Sequence, residues 1–337
     1  MSGQSKIYPL VSVIVPTYNN EARIARTLES IIAQDYPNIE IIVVNDVSTD
    51  STADIARHVL TTWGGQFKVI DRSINGGQSA SRNTGLAAAQ GQYIIFFDHD
   101  DLAEKNYVSR LCGEAEQTKA DMVFCGYKIY YEMENRCEGF PIRLSSPLRS
   151  SDDYIVAWLK GKIVHCVWCF IFRKKFLDGK GLHFKENCHV GEDIEFCLKA
   201  LAVSSRTSFV KDPLYIWVHH PTQQTAGGGP RAAEFRSTKL NIIYRLRAAL
   251  YIAKHGSKRV RNYMVYFYIP KSFIKQFTIL AEKGDRDSYE RRIRMLHHRT
   301  VRQMLLSTAK FLCFEPEVFF KAVMLLFCPR LYYRWRS

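Results

Sequence analysis

The 337-residue chain is 47% hydrophobic and 13% aromatic, with no low-complexity tract and no internal repeat, which excludes a disordered chain and allows one large domain or two smaller ones. Its formal net charge of +14 is uneven: residues 1–230 hold 24 Lys/Arg against 26 Asp/Glu, whereas residues 231–337 hold 23 against 7, a net of +16. No apolar run reaches the ~20 residues of a membrane-spanning helix, because Val318 to Cys328 is interrupted by Lys321, and MSGQSKIYPL offers no apolar core for a signal peptide.

The charge step predicts a boundary at Gly227-Gly228-Gly229-Pro230, dividing a catalytic-sized portion 1–229 from a basic region 230–337. The nine cysteines are odd in number and lie mostly in apolar segments such as Val123-Phe124-Cys125, as expected of reduced thiols in a cytoplasmic protein. Cys166-Val167-Trp168-Cys169 has metal-ligand spacing but no matching second pair, so it reads as core packing.

Val11 to Val15 is a strand candidate closed by Pro16-Thr17-Tyr18-Asn19-Asn20, and Ile24, Leu28, Ile31 and Ile32 mark an amphipathic helix capped by Asn19 or Asn20. Ile39 to Val44 is a buried strand ending at Asn45-Asp46. Thr49-Asp50-Ser51 opens a helix through His58, and Phe67 to Ile70 is a third strand. Asn75-Gly76-Gly77 leads into the small-residue helix Ala80 to Ala89, followed by the strand Tyr93 to Phe97. Apolar strands alternating with helices predict a mainly parallel sheet covered on both faces. Further on, Asp121 to Tyr131, Cys166 to Phe172 and Leu214 to Val218 read as strands, and Val190 to Phe196 reads as a loop entering a helix that runs through Cys197, Leu198 and Leu201. From Pro230 the pattern is helical, with Leu240, Ile243, Tyr244 and Leu246 beginning a basic amphipathic series.

In a parallel sheet, ligands bind beyond the carboxyl ends of the strands. Three polar tips fall there: Thr17-Tyr18-Asn19, Asn45-Asp46 and Asp98-His99-Asp100. The last belongs to Phe96-Phe97-Asp98-His99-Asp100-Asp101, where crowded carboxylates cost stability unless a cation or hydrogen-bond donors neutralise them. Asp98 and Asp100 offer hard oxygen ligands suited to Mg²⁺ or Mn²⁺ with a bound diphosphate. Gly76-Gly77 is not part of a GxGxxG motif after the first strand, and no Walker lysine is present, so dinucleotide and P-loop chemistry are disfavoured.

VSVIVPTYNN, IIVVNDVSTDST, NGGQSASRNTG, YIIFFDHDD, FIFRKKFL and HFKENCHVGEDIEF, in this order, resemble the family 2 glycosyltransferases of the GT-A fold over about residues 9–225. That resemblance implies a Rossmann-like, mostly parallel sheet with flanking helices, in which about 1–120 binds the nucleotide-sugar and about 121–229 the acceptor. It also implies a UDP-linked donor, Mn²⁺ or Mg²⁺, and transfer with inversion to a glycan hydroxyl. Pro16, Thr17 and Tyr18 would hold the nucleobase, Asp46 its base or ribose edge, and Arg82 the nucleotide or diphosphate. Asp98 and Asp100 would form the acidic metal motif, with Asp98 also near the ribose. Asp193 would be the general base and Glu192 an acceptor contact. The chain departs from the family at Asn45 and Val47, where an acidic residue and a glycine are common, and at Trp217-Val218-His219-His220, where an arginine is frequent. His220, in preference to His219, would complete the metal shell.

Simpler roles exist for the same residues: Glu192-Asp193-Glu195 as a helix N-terminal charge cluster, Tyr18 as a packed aromatic, Arg82 as a surface arginine, Asp101 as a helix cap before Leu102-Ala103-Glu104, and His99 as a pointed-away or pocket-lining side chain. A metal-dependent phosphohydrolase also uses Asp-x-Asp after a strand, but opens its first strand with it. A nucleic-acid binder would use the basic third and Tyr332, Tyr333 and Trp335, yet would leave the acidic tips unexplained. The basic third instead suggests docking on an anionic membrane at its cytoplasmic face, toward a lipid-linked glycan acceptor, through Phe311, Leu312, Phe314, Val318-Phe319-Phe320, Val323 to Phe327 and the closing Arg330-Leu331-Tyr332-Tyr333-Arg334-Trp335-Arg336. Packing on the catalytic domain or on a second subunit, giving a homo-oligomer, is the alternative.

Overall fold

The computed structural model describes residues 8–160, 162–163, 166–188, 191–221, 238–282, 284–311 and 316–336. The chain forms two compact units, Met1–Phe235 and Arg236–Ser337. The glycine-rich boundary expected at 227–230 lies outside the described residues.

In the first unit the apolar runs become β1 (Val11–Thr17), β2 (Ile39–Asn45), β3 (Gln66–Asp71) and β4 (Tyr93–Phe96). Alternating with them are α1 (Ile24–Ile32), α2 (Thr52–Trp63) and α3 (Gly77–Ala88). β1 pairs in parallel with both β2 and β4, and β2 with β3. β1 and β2 are buried along their whole length, as covered faces require. Helix α3 sits close on β1 because Gly85 has no side chain; a Cβ there would lie 2.3 Å from Ile14 Cγ2.

The sheet continues through β5 (Leu102–Ala103), β6 (Met122–Tyr131), β7 (Arg136–Phe140), β8 (Phe170–Arg173) and β9 (Thr207–His219), in the order β3-β2-β1-β4-β8-β6-β9-β5, with β7 paired to β6. β8 runs antiparallel to β4 and β6, whereas β9 is parallel to β6. Helices α4 (Tyr107–Thr118), α5 (Ser151–Leu159), α6 (Lys174–Gly179) and α7 (Glu192–Val203) complete this unit.

Several local expectations change. Asn19 and Asn20 do not cap α1: their side chains turn instead to Thr49 N–H and to the His99 carbonyl. The strand expected from Cys166 begins only at Phe170, because Val167–Cys169 forms a 3-10 turn. That turn is held by Tyr107 Oη donating to the Trp168 carbonyl and by Trp168 stacking on Tyr215 at 4.3 Å. β9 is much longer than the run Leu214 to Val218, since a register shift beside Gly126 accommodates Lys211-Asp212-Pro213 within the strand. Cys169 is buried in the core, in keeping with a packing role for the Cys166–Cys169 pair, and no disulfide joins the described cysteines.

The second unit is helical: α8 (Thr238–His255), α9 (Lys258–Tyr263), α10 (Ile269–Glu282), α11 (Arg286–Ile293), α12 (Arg299–Leu306), α13 (Pro316–Phe327) and α14 (Pro329–Arg336). Its core gathers Ile274, Phe277, Tyr289, Leu305, Leu325 and Tyr332 with their neighbours, and Tyr332 Oη meets Thr278 Oγ1 at 2.5 Å inside it. Val318, Leu325 and Leu326 belong to this core, so half of the apolar segment expected at a membrane packs inward. Leu312 and Phe314 lie outside the described residues. Among those described, no helix is long and apolar enough to cross a membrane.

Candidate active site

Parallel pairing carries the carboxyl ends of four strands to one edge. Thr17 lies beside Asn45 and Asn45 beside Asp71, while Ile14 pairs with Phe96 just before the acidic tip. The three tips are tied to one another by hydrogen bonds. Tyr18 N–H donates to His99 Nδ1 (3.3 Å), which also lies 3.1 Å from Thr17 Oγ1. The His99 carbonyl accepts from Asn20 Nδ2 (2.7 Å) and Thr27 Oγ1 (2.9 Å). His99 thus fastens the β4 tip to the β1 tip. Pro16 is buried within β1 opposite Val44, and the half-buried Tyr18 follows it at the rim.

Asp46 is buried, and its carboxylate is held by the protein itself. It accepts from Gly77 N–H (2.7 Å) and Gly76 N–H (3.1 Å) at the start of α3 and pairs with Arg72. An anion at a helix N-terminus is favoured by the unpaired N–H groups and the dipole. Asn45 Nδ2 reaches Asp71 Oδ1 at 2.9 Å on the adjoining strand end. Arg72 and Asp71 were not singled out from sequence; the signal available was their place at the end of a predicted parallel strand.

Val47, next in the chain, has φ 66°. A β-branched residue in the left-handed region is strained by roughly 1–2 kcal/mol, which a glycine would avoid. Val47→Gly should raise the melting temperature, since the relief of strain outweighs the roughly 0.5–1 kcal/mol entropy cost of glycine. An unchanged or lower melting temperature by calorimetry would show that strain at Val47 does not exceed the entropy cost of glycine.

Each carboxylate of the β4 tip is neutralised differently. Asp98 Oδ1 accepts from Arg82 NH2 at 2.8 Å. Asp100 Oδ2 lies 3.0 Å from Nε2 of the buried His220. Burial would raise the Asp100 pKa, but the His220 contact and the charges of His99 and His220 hold it below the usual carboxylate range. Asp101 is fully buried, accepting from Tyr215 Oη (2.7 Å) and Val218 N–H (2.8 Å). Burial, then repulsion from Asp100 and Asp98, push its pKa well up, which favours the neutral acid. Asp101 does not cap a helix, because Leu102–Ala103 is β5, paired with Ile216 and Tyr215 of β9. His219 is exposed, 5.5 Å from the Tyr131 ring, and stands apart from this pair.

Arg82 is a buried bridge rather than a surface side chain. Besides Asp98, its NH1 reaches Glu192 Oε1 at 3.2 Å, and its guanidinium lies 5.2 Å from the centre of the Phe184 ring. Burial alone would lower its pKa, but Asp98, Glu192 and Asp193 hold it above the normal value. Through this one side chain the β4 tip and the N-terminus of α7 share a network. Asp193, the next residue of α7, accepts from Ile194 N–H at 2.7 Å. Its pKa is pushed up to about 7, first by burial and then by the Glu192 charge, against the pull of Arg82. Glu195 pairs with Lys199 along the helix and takes no part in the site contacts described. Among the described residues, no group of three or more His, Cys, Asp and Glu is gathered tightly enough to hold a metal by itself; Asp100 and His220 are a converging pair.

Comparison with known proteins places this architecture. Residues 12–181 match the family described as Glycosyl transferase family 2. The uncharacterized glycosyltransferase EpsJ of Bacillus subtilis (strain 168) is 34% identical over 221 residues, covering 64% of this chain and 63% of that protein. The putative glycosyltransferase EpsH of the same organism is 35% identical over 215 residues, covering 63% and 61%. The matches therefore span under two thirds of the length of these relatives. The crystal structure of residues 1–349 of S. aureus TarS superposes with a TM-score of 0.70 at 20% identity, over 96% of this chain and 91% of that one. The mixed sheet with its single reversed central strand is the GT-A arrangement, and a helical region follows it. With the family's sequence pattern running from β1 through the β4 tip to α6, the chain belongs to glycosyl transferase family 2.

Proposed function

We propose that the protein transfers a sugar from a UDP-linked donor to a glycan hydroxyl, with inversion at the anomeric carbon. The observation that carries this reading is the Arg82 bridge, which sets the Asp98 tip beside Glu192 and Asp193 in a member of this family. Direct displacement needs the acceptor's base and the leaving diphosphate on either side of one sugar ring, and no nucleophile on the enzyme. Asp193 is the base: a carboxylate with a pKa near 7 removes the acceptor proton more readily than an ordinary one. Glu192, held by Arg82, lines the acceptor side. Pro16, Thr17 and Tyr18 form the base-binding wall, and Asp46 shapes it by fastening the start of α3. The Arg82 Nε–H has no partner among the described residues, and a diphosphate oxygen would satisfy it. The chemistry of the donor set fits Mn²⁺ or Mg²⁺: the Asp100 carboxylate and the His220 imidazole converge at 3.0 Å, and Asp98 would join them as a second hard oxygen donor. When bound, such an ion offsets charge developing on the leaving diphosphate. The S. aureus TarS structure in complex with UDP-GlcNAc and the Pyrobaculum calidifontis mannosyltransferase structure with GDP-Man and Mn²⁺ support donors and metals of these classes. The acceptor we favour is a lipid-linked glycan in polysaccharide synthesis, met at the cytoplasmic face of a membrane.

Purified protein should release nucleotide from one member of a panel of nucleotide-sugars, and release should stop on adding EDTA. Asp100→Asn should weaken metal-dependent donor binding about tenfold or more, because removing one first-rank ligand from a two-donor site leaves the imidazole alone. Turnover of that variant at the normal rate with EDTA present would remove the metal from the reading. Phosphate release without sugar transfer would favour the phosphohydrolase.

A further inference from the structure

Helix α13 is apolar on two opposite faces, and the helical unit uses only one for its core. Val318, Ala322, Leu325 and Leu326 point inward, none more than 7% exposed. At about 100° of turn per residue, Phe320 and Phe327 fall on the opposite side, and they are 61% and 62% exposed. The line does not stop at Pro329. Cys328 N–H donates to the Met324 carbonyl (2.8 Å) and Tyr332 N–H to the Cys328 carbonyl (3.0 Å), so α14 carries the helical path onward. Leu331 and Trp335 follow Phe327 at four-residue steps, 57% and 54% exposed. Basic side chains border this stripe: Arg330 and Arg334 are exposed on α14, Arg336 lies 5.2 Å from the Trp335 ring centre, and Arg302 of α12 lies 5.9 Å from that of Phe327, while Arg330 also pairs with Glu290 (3.3 Å) and Arg336 with Glu282 (2.5 Å).

We propose that this stripe rests on an anionic lipid bilayer, with Phe320, Phe327, Leu331 and Trp335 entering the headgroup–acyl boundary and the arginines meeting lipid phosphates. Large apolar side chains on one helical line with cations beside them suit that boundary, where apolar burial and charge attraction add. Charge argues for this occupant over the others. A second copy of the region would bring together two surfaces from segments of net +16. A nucleic acid would satisfy the arginines but leave Phe320, Phe327 and Leu331 without apolar partners. Of the residues the sequence pattern favoured, Phe320, Phe327, Leu331 and Trp335 remain on the surface, whereas Val318, Leu325 and Leu326 are committed to the core. The inference deepens the reading of a lipid-linked acceptor, though the docking itself stands apart from the sugar chemistry.

Full-length protein at low salt should sediment with vesicles of phosphatidylglycerol and phosphatidylcholine, and not with phosphatidylcholine alone. Phe320→Ser/Phe327→Ser should lower the partition coefficient on the order of tenfold or more, and Leu331→Ser/Trp335→Ser should act in the same direction. Both variants should keep the wild-type melting temperature and hydrolysis of the donor. The proposal is overturned if the wild-type protein ignores the anionic vesicles, or if both double variants bind them as the wild type does. It is equally overturned if light scattering shows that the substitutions abolish self-association while vesicle binding persists. Donor hydrolysis read in the same samples separates the two ideas: inactive protein that still docks counts against glycosyl transfer only.

Discussion

Asp193→Asn should lower the rate of sugar transfer by roughly a hundred- to ten-thousand-fold, the range associated with a positioned general base. Donor affinity should stay near the wild-type value, because the amide keeps the shape and loses only the proton-accepting charge. The wild-type rate should climb with pH through about 7, as Asp193 sheds the proton that burial and Glu192 help it keep. The stability consequence has the opposite sign. A carboxyl whose folded-state pKa lies above its unfolded value binds more protons when folded, so Asp193 makes the protein less stable as pH rises from about 4 to about 7. The asparagine variant should lack that component of the slope and be no less stable than wild type at pH 8. A variant that loses donor binding along with activity would make Asp193 a donor contact or a structural residue.

The parallel half of the sheet was legible because its strands are unbroken apolar runs and its helices show a clear apolar face: Val11 to Val15 and Ile39 to Val44 read directly as β1 and β2. What was not legible is partner choice. Glu40 hides inside the second run, buried, where its carboxylate takes Ser12 Oγ and the N–H groups of Gln90 and Gly91. Nothing local predicts that, since Gln90 and Gly91 lie about fifty residues away. The same holds for the three carboxylates of the β4 tip. Their crowding shows in the sequence, but whether each meets an arginine, a histidine or a proton depends on α3, on the residue after β9, and on burial. The asparagines after β1 were read as caps from their type, yet tertiary partners at Thr49 and His99 took their side chains. The first half of β9 escaped notice for a different reason: Lys211-Asp212-Pro213 looks like a break before Leu214, and only the pairing with β6 shows a strand that absorbs it.

Arg82→Met should destabilise the first unit by about 3–5 kcal/mol, the scale found when one partner of a buried ionic group is removed. The loss arises less from the missing attraction than from what is left behind: Asp98 and Glu192, with Asp193 close by, no longer share a cation. Charge and packing make different predictions here, because Arg82 also lies against Phe184. If charge dominates, the abandoned carboxylates retain protons to higher pH in the folded variant. The folded state then binds protons that the unfolded chain releases, so stability falls as pH rises, and the deficit against wild type is large at pH 8 and smaller near pH 5. If packing dominates, the deficit is the same at both pH values. Adding Glu192→Gln to Arg82→Met supplies the second check. It should restore part of the lost stability, giving a coupling of about 1 kcal/mol or more between residues in direct contact. Strict additivity of the two substitutions, with a pH-independent deficit, would reduce Arg82 to a space-filling side chain and detach the β4 tip from α7. The catalytic reading would then lose the bridge that holds its donor and acceptor sides together.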